Sequence, residues 1–322
     1  MDTVNATAKI PEIDGVLCLP RLRIQSANAI SGPLSHGFPA ISAFLGLMWA
    51  LERRLGDAPG LGLNAVGVVC HDFQELTYDQ SRTQGFRLTR NPLLKDGSTA
   101  AIVEEGRIHL DISLIFGVSG EALFTLSDAG RAQLAQEVLQ CVGTMRVAGG
   151  SVLPQDHDIS PSLELLADNP ADRAAQFRRW RYRWLPGFAL VSRADLPHKH
   201  LAELQQNDPQ ATSWDAWLDL CRLNTRWGKN DKGDEGWITD PRSGWLVPLP
   251  VGYGALSDLH SPSEVRNARD TCTPLRFVES LYSVGQWISP HRLHSLRQLL
   301  WYNACAPDSG SYLVCNDYPL SL

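Results

Sequence analysis

The order in which two hydrophobic periodicities follow one another constrains the fold of this chain more than any other feature. Apolar–polar alternation and short apolar runs, which indicate β-strands, occur at 16–25, 61–70, 107–118 and 185–193. Apolar residues at helical spacing, which indicate amphipathic helices, occur at 39–55 and 129–145. The resulting order is β-α-β-β-α-β, which predicts a split βαβ, or ferredoxin-like, palm of the kind found in RNA-recognition (RRM) domains.

Two insertions are expected within this palm, which we place at 16–195. Between its second and third strands, Asp96-Gly97 separates two β-compatible runs and predicts a hairpin at about 84–106. A basic insertion at about 155–184 precedes the last strand. The second helix is expected to end at Gly149-Gly150, since glycine is a common stop signal.

After residue 195 the alternation of strand and helix patterns gives way to shorter and more polar segments. A short amphipathic helix opened by Thr212 or Ser213 is followed by a polar, glycine-rich segment at 226–244, which predicts a mobile surface loop. A closing helix is predicted at 291–303. We interpret 196–322 as a C-terminal α/β extension that packs on the palm, and the fold class as α+β.

The charge of the chain is unevenly distributed. The formal net charge is −6, but residues 173–193 hold six arginines and no acid, which leaves −12 on the remainder. Such asymmetry restricts any polyanion to one surface. An acidic remainder suits a protein that avoids binding nucleic acid indiscriminately.

Arginines alternate with aromatic residues inside this basic segment. Guanidinium groups bind phosphates in a bidentate manner, and aromatic rings offer stacking surfaces to unpaired bases. RNA contacts are therefore predicted for Arg178, Arg179, Arg181 and Arg183. The alternative is an amphipathic helix whose Trp180 and Trp184 lie in the core and whose arginines are solvated.

Two further candidate sites come from the loops of the palm. A glycine pair lets backbone N–H groups approach a phosphate, with a plain helix C-cap as the alternative. This set consists of Arg146, Gly149, Gly150 and Ser151. The loop at 25–36 leads into a helix N-terminus, where anions bind, with a simple connection as the alternative. The set in and before this loop consists of Arg21, Arg23, Asn28, Ser35 and His36.

The hairpin and a late loop supply the remaining candidates. A hairpin with basic strands can lie along a nucleic-acid strand and push between its nucleotides. Its candidate residues are Arg87, Arg90 and Asn91. A set that suits RNA or a partner chain is Arg266, Asn267 and Arg269. The alternative for this last set is that Glu264 and Asp270 neutralise the two arginines.

Signatures of common enzymes are absent from the sequence. There is no GxxxxGK[ST] phosphate loop, no GxSxG elbow and no HExxH zinc motif. His36, His71 and His109 are each possible general bases, although a lone histidine is more often structural. We therefore predict no catalytic residue.

Metal and membrane signals are equally sparse. The seven cysteines are scattered without a CxxC pair, which indicates reduced thiols in a cytosolic protein. His291 and His294 lie close in sequence, but no third ligand is evident. No apolar run is long enough to cross a membrane, and residues 1–15 lack the apolar region of a secretory signal. We predict a cytoplasmic protein with no metal, no cofactor and no membrane contact.

Several stretches together carry a resemblance to a known family. They are PRLRIQSANAISGPLSHGFPAISAF (20–44), LTRNPLLKDGSTAAIVEEGR (88–107), MRVAGGSVLP (145–154), WLPGFALVSR (184–193) and VRNARDTCTPLRFVESLYSVGQWISPHRL (265–293). In this order they resemble the second Csy subunits of type I-F CRISPR surveillance complexes, in the Cas-five branch of the RAMP proteins. The resemblance extends from about residue 16 to residue 303.

The resemblance implies an RRM-like palm with a thumb-like hairpin insertion around Asp96-Gly97 and a glycine-rich loop at Gly149-Gly150. It also implies a tight pairing with the large Csy subunit, next to a backbone Csy subunit, to hold the 5′ handle of the CRISPR RNA. Target DNA is then contacted indirectly, because sequence is read by guide pairing. Two alternatives stay open: a metal-independent endoribonuclease that processes precursor RNA, and a subunit that only bridges proteins.

Overall fold

The computed structural model describes residues 10–57, 60–80, 83–154, 159–229, 233–242, 244–268, 270–306 and 310–319. The strands are β1 (Gly15–Asn28), β2 (Ile30–Gly32), β3 (Ser35–His36), β4 (Gly62–Glu75), β5 (Thr77–Gln80), β6 (Thr83–Arg90), β7 (Ile102–Glu105), β8 (Arg107–Ser119), β9 (Arg146–Val147), β10 (Gly150–Val152), β11 (Ser162–Leu165), β12 (Phe188–Ser192), β13 (Thr225–Lys229), β14 (Glu235–Thr239), β15 (Trp245–Ala255), β16 (Val278–Ile288), β17 (Trp301–Ala306) and β18 (Ser311–Asn316). The α-helices are α1 (Ile41–Leu55), α2 (Ala122–Thr125), α3 (Asp128–Gly143), α4 (Pro170–Arg183), α5 (Asp195–Asn207), α6 (Ser213–Cys221) and α7 (Leu296–Leu299).

The centre of the structure is an antiparallel sheet in which β1, β4 and β8 are the longest neighbours. β1 pairs with β8 along most of its length, and β8 pairs with β4 on its other side. The edge of β1 that faces away from β8 pairs with β10 and β11. The strands predicted at 16–25, 61–70 and 107–118 are thus confirmed and run longer than expected, and the fold class is α+β.

The strand predicted at 185–193 exists, as β12, but its place in the order was wrong. β12 does not flank β1; it pairs with β16 and with the outer edge of β4. The four-residue β11 lies beside β1 instead. A buried apolar run such as 188–192 can lie inside any sheet, so its periodicity could not identify its neighbours.

Strands from the C-terminal part continue the same sheet. From β12 the pairing passes through β16, β15, β18 and β17, and β17 returns to β4 through the pair Trp301 and Val66. Six strands therefore form a closed circuit of hydrogen-bonded neighbours. The sequence at 196–322 contributes four of them.

The two faces of the sheet are covered by different helices. Alternating residues of β4 point to opposite sides, so that Val66 and Val68 join a core with α1 and α3, whereas Ala65 and Val69 join a core with α4. The apolar stripe predicted for α1 is confirmed for Ile41, Phe44, Leu45 and Met48, which are buried, whereas its last member, Leu55, is half-buried. Basic helix α4 thus lies across the sheet from α1.

The hairpin predicted at 84–106 is confirmed. β6 pairs with β7, with Arg87 opposite Glu105 and Arg90 opposite Ile102, and β5 adds a third strand. The turn lies at Leu94–Gly97, where Gly97 has φ +78°. Glycine adopts this φ without the steric penalty that other residues meet there.

Two predictions for the C-terminal part were wrong. The segment 226–244 is not a loop throughout, because it contains the β13–β14 hairpin, in which Trp227 lies opposite Trp237. The closing helix at 291–303 is replaced by a 3-10 turn at Pro290–Arg292, by α7 and by β17. The leucines of this segment are buried as expected, but in short elements that meet several neighbours. By contrast, Thr212 does open α6, through a capping box with Asp215.

Candidate nucleic-acid interface

A groove of about 830 Å³ lies between α1, which lines it from its N-terminus to Ala50, the start of the loop after β1 and the β9–β10 turn. Among the described residues that line it, Arg146 is the one with a formal charge. The helix begins at N-cap Ala40 without a side-chain cap and without an acidic residue in its first turn. The partial positive charge of this helix end is therefore free to act on an anion in the groove.

The β9–β10 turn forms one wall of the groove. Ala148 and Gly149 have φ of +48° and +80°, as in the two-residue hairpin turns that fit the twist of antiparallel strands. The turn is tied to β1, because the Asn28 backbone N–H donates to the Ala148 carbonyl (2.9 Å). The Arg146 guanidinium donates to the Gly149 carbonyl (3.1 Å). The predicted helix stop at Gly149-Gly150 was wrong, since α3 already ends at Gly143.

The two glycines of this turn have different roles. A side chain on Gly149 would point into open space, and Gly149 itself is exposed, so solvent reaches its backbone. A Cβ on Gly150 would lie 2.6 Å from Ile24 Cγ2 and 2.8 Å from the Ala27 backbone nitrogen. Gly150 is therefore required for the turn to approach β1, and Ser151, next in the strand, is exposed.

The loop candidates differ in accessibility. Asn28 lines the groove, where its side chain bonds to the Ile30 carbonyl (2.8 Å) and backbone N–H (3.1 Å). Ser35 is buried, with its hydroxyl 2.9 Å from the Ser31 hydroxyl, so it shapes the loop. His36 is exposed, and its Nδ1 lies 3.1 Å from Glu75 Oε1.

His36 also connects the loop to the hairpin. Its ring packs edge-on against Phe86, with ring centroids 5.4 Å apart. Arg87 and Arg90, which follow on β6, and Asn91 are all exposed. The groove, His36 and the base of the hairpin thus form a continuous series of neighbours.

The arginines of α4 lie on the other face of the sheet. Arg179 and Arg183 both pair with Glu164, at 2.8 and 3.2 Å. Arg181 donates to the Leu293 carbonyl (2.6 Å), whereas Arg178 is exposed. The structure therefore does not bring these arginines together with the glycine loop.

The aromatic residues of this segment are core residues. Phe177 is 4% exposed, and Trp180 and Trp184 are 4% and 3% exposed, in the cluster that joins α4 to the sheet. The interpretation of the tryptophans as stacking surfaces for bases was wrong, and the alternative of an amphipathic helix is correct for them. Helical spacing places residues 177, 180 and 184 on one face, toward the sheet.

The two arginines of β1 contact protein groups. Arg21, at φ +54° where the pairing with β8 is irregular, pairs with Asp111 at 2.7 Å. Its backbone N–H donates to the Ser113 hydroxyl (3.1 Å). Arg23 is exposed and donates to the Pro154 carbonyl (2.8 Å).

Two of the possible general bases are held in structural hydrogen bonds. His71 contacts the Pro186 carbonyl through Nδ1 (2.6 Å) and the Ser113 hydroxyl through Nε2 (2.7 Å). Burial lowers the pKa of His71. His109 Nδ1 accepts from the Ser26 backbone N–H (3.1 Å). Both imidazoles thus help to fix the β1–β8 region.

The last candidate set lies apart from the groove. Arg266 and Asn267 are exposed in the connection between β15 and β16, and Asn267 has φ +60°. Arg269 lies outside the described residues, as do residues 155–158 of the basic insertion.

Sequence reasoning missed three groove residues from distant parts of the chain. Tyr253 and Tyr312 line the groove with ring centroids 6.4 Å apart, and Ser42 lies in the first turn of α1. Burial raises the pKa of Tyr312 to about 12, so it stays protonated. No local motif marks the tyrosines, because the closed circuit of strands brings them to α1.

The described residues offer little for metal or membrane binding. Within the described ranges, no group of three or more His, Cys, Asp or Glu side chains is arranged to hold a metal ion. The seven cysteines are free thiols. In the part of the chain that the structure describes, every helix is too short or too polar to span a bilayer.

Comparisons with known proteins agree with the resemblance of the five sequence blocks. A family model described as CRISPR-associated protein (Cas_Csy2) matches residues 17–314. The chain is also similar to the CRISPR-associated protein Csy2 of Pseudomonas aeruginosa (strain UCBPP-PA14). The identity is 48% over 315 residues, which cover 94% of this chain and 95% of the relative. The chain therefore belongs to the CRISPR-associated Csy2 family.

Proposed function

We propose that this chain is a non-catalytic subunit of a type I-F CRISPR RNA-guided surveillance complex in the cytoplasm, and that it binds the 5′ handle of the CRISPR RNA together with the large Csy subunit. The observation that carries the proposal is the groove between the uncapped N-terminus of α1, Arg146 and the open backbone at Gly149. These groups attract phosphates through a helix end, a guanidinium and accessible amides.

The strand order of the sheet supports the proposal that residues 16–195 form an RRM-like palm. The neighbours β11, β1, β8 and β4 occur in this spatial order, and α1 and α3 pack on one face. This is the order expected of a ferredoxin-like β-α-β-β-α-β unit whose fourth strand is β11. The β5–β7 hairpin then corresponds to the thumb-like insertion, and 196–322 to the extension.

A single RNA strand in the groove can continue past His36 toward the hairpin. The series from Asn28 and Arg146 through His36 to Arg87 offers amide, imidazole and guanidinium groups. Arg90, three residues further along the same strand, points to the opposite face of the hairpin. The arginines of α4 would meet only a segment of RNA that crosses to the other face. They stay predicted contacts to such a segment.

The hairpin also offers a surface to partner proteins. Leu88, Leu93 and Leu94 are 64%, 68% and 55% exposed. Exposed apolar clusters of this kind are typical of protein contacts. We assign this surface to an adjacent backbone Csy subunit and expect target DNA to be contacted indirectly, through the guide.

The groove assignment is tested with Arg146→Ala in the assembled complex. Loss of one phosphate contact is expected to weaken RNA binding and to reduce the slope of log affinity against log salt by about 0.7. The matched control is Arg54→Ala, since Arg54 is exposed in the last turn of α1 and is not among the residues that line the groove. Equal effects of the two variants would contradict the groove assignment.

Two alternatives are separated by product and crosslink analysis. Purified complex incubated with repeat RNA in EDTA is expected to leave the RNA intact, whereas specific cleavage would favour the endoribonuclease. Crosslinking is expected to join the 5′ handle to peptides around Asn28 or Gly149. A chain that crosslinks only to other proteins would instead be a bridging subunit.

A further inference from the structure

A second, smaller cavity lies directly beside the groove. It measures about 190 Å³ and is bounded by the loop before α1, by β4 and by β15 and β16 of the C-terminal part. Ser31 and Pro39 line both cavities, so the two lie side by side. Pockets for drug-sized ligands usually measure about 300–1,000 Å³, so this cavity fits a single ring system.

The walls of this cavity are aromatic. Phe38 packs edge-on against Trp287, with centroids 4.9 Å apart, and Trp245 is tilted against Trp287 at 6.1 Å. Trp287 and Leu190 are buried, at 9% and 1% exposure, and form the floor. The pocket is thus preformed by contacts among its own side chains.

The rim of the pocket is open and partly polar. Phe73 and Trp245 are 52% and 48% exposed there, so each presents a ring surface to solvent. His36 and Ser31 add polar groups at the same mouth. Flat apolar surfaces with a few polar groups at the edge match a heterocycle whose faces are apolar and whose edge forms hydrogen bonds.

We propose that this pocket takes one unpaired nucleobase of an RNA strand whose backbone lies in the neighbouring groove. The base stacks on Trp245, and its edge faces His36 and Ser31. The inference rests on the proposed function, because adjacency to the groove proposed to bind the RNA backbone is what selects a base over a partner's apolar side chain. Stacking accepts any base face, so the pocket favours unpaired over paired nucleotides.

The stacking contact is tested with a double-mutant cycle in the complex co-purified with its Csy partners. One arm is Trp245→Ala; the other is a series of synthetic CRISPR RNAs with an abasic site at each handle position in turn. Base–aromatic stacking corresponds to about 5- to 150-fold in affinity. We expect one position at which base removal weakens binding to the unmodified complex by this factor but hardly affects binding to Trp245→Ala.

The conservative variant Trp245→Phe keeps an aromatic face and is expected to restore the base dependence at that position. If the effect of Trp245→Ala simply adds to the effect of every abasic site, and RNA binding still depends on Arg146, the pocket assignment is overturned but the proposed function is not. If the Trp245→Ala variant loses a partner protein and its RNA affinity shows no dependence on any single base, the pocket is a protein contact and the nucleobase assignment is overturned. If Arg146→Ala and Arg54→Ala bind RNA equally, the proposed function itself fails.

Discussion

Replacement of Trp180 with alanine tests whether the basic helix is anchored by its aromatic residues. Trp180 is 4% exposed in the core between α4 and the sheet. Truncation of a buried large aromatic side chain typically costs about 3–5 kcal/mol, through lost burial and the cavity left behind. This is a large part of the about 5–15 kcal/mol by which a folded domain is stable.

The expected shift in the unfolding temperature follows from the size of the chain. At about 2.1 cal/mol/K per residue, unfolding of 322 residues has an entropy of about 0.7 kcal/mol/K. A loss of about 4 kcal/mol therefore lowers the midpoint by about 6 °C, which can be measured by calorimetry or by near-UV circular dichroism.

The matched control is Tyr182→Ala on the same helix. Tyr182 is 57% exposed, so its removal is expected to change stability by less than about 0.5 kcal/mol. If Trp180→Ala left the midpoint unchanged and lowered RNA affinity instead, the assignment of Trp180 to the core would be refuted.

Three further predictions follow from local geometry. Gly150→Ala is expected to reduce stability and RNA binding more than Gly149→Ala, because a Cβ on Gly150 would lie 2.8 Å from the Ala27 backbone nitrogen. Urea unfolding and an RNA-binding assay of both variants check which substitution has the larger effect. Replacement of Arg178, Arg179, Arg181 and Arg183 with alanine is expected to weaken RNA loading, but to flatten the salt slope by only about 0.7, since Glu164 and the Leu293 carbonyl already engage three of the four. Burial lowers the pKa of His200, but hydrogen bonds that its ring donates to Asp219 and Glu203 outweigh burial and raise the pKa. His200→Gln is therefore expected to remove stability that is present below pH about 6.5 and is lost as pH rises through the folded-state pKa. Denaturation at several pH values checks this, and an equal loss of stability at every pH would contradict it.

The parts of the fold that the sequence predicted are those with strong local signals. The α1 stripe, the alternation in β1 and β8, and the Asp96-Gly97 turn each follow from a short window of residues. β11 was missed because four residues, one of them Glu164, give too short a pattern. The β13–β14 hairpin was missed because polar residues and glycines surround Trp227 and Trp237.

The candidate site was predicted in part for the same reason. Asn28, Arg146 and Gly149 lie in one groove, because the β9–β10 turn bonds directly to the end of β1. The tyrosines at 253 and 312 were not predicted, since they reach the groove through the pairing of β17 with β4, in which Trp301 lies opposite Val66, more than 200 residues earlier in the chain. The position of the α4 arginines, on the face of the sheet opposite the groove, could not be predicted, because charge does not specify which face of a sheet a helix covers.

The small number of charges in the groove constrains how RNA is held there. Arg146 is the one charged residue among the described lining residues, so a groove-bound strand gains little from counterion release. In the proposed complex, most of the affinity would then come from the α1 terminus, from amides at Gly149 and from stacking on Tyr253, Trp245 or Phe73. Such contacts select an unpaired strand of defined shape over any polyanion. A partner subunit that covers the open side of the groove would strengthen each of them by excluding water, and this favours a handle that is held between two proteins.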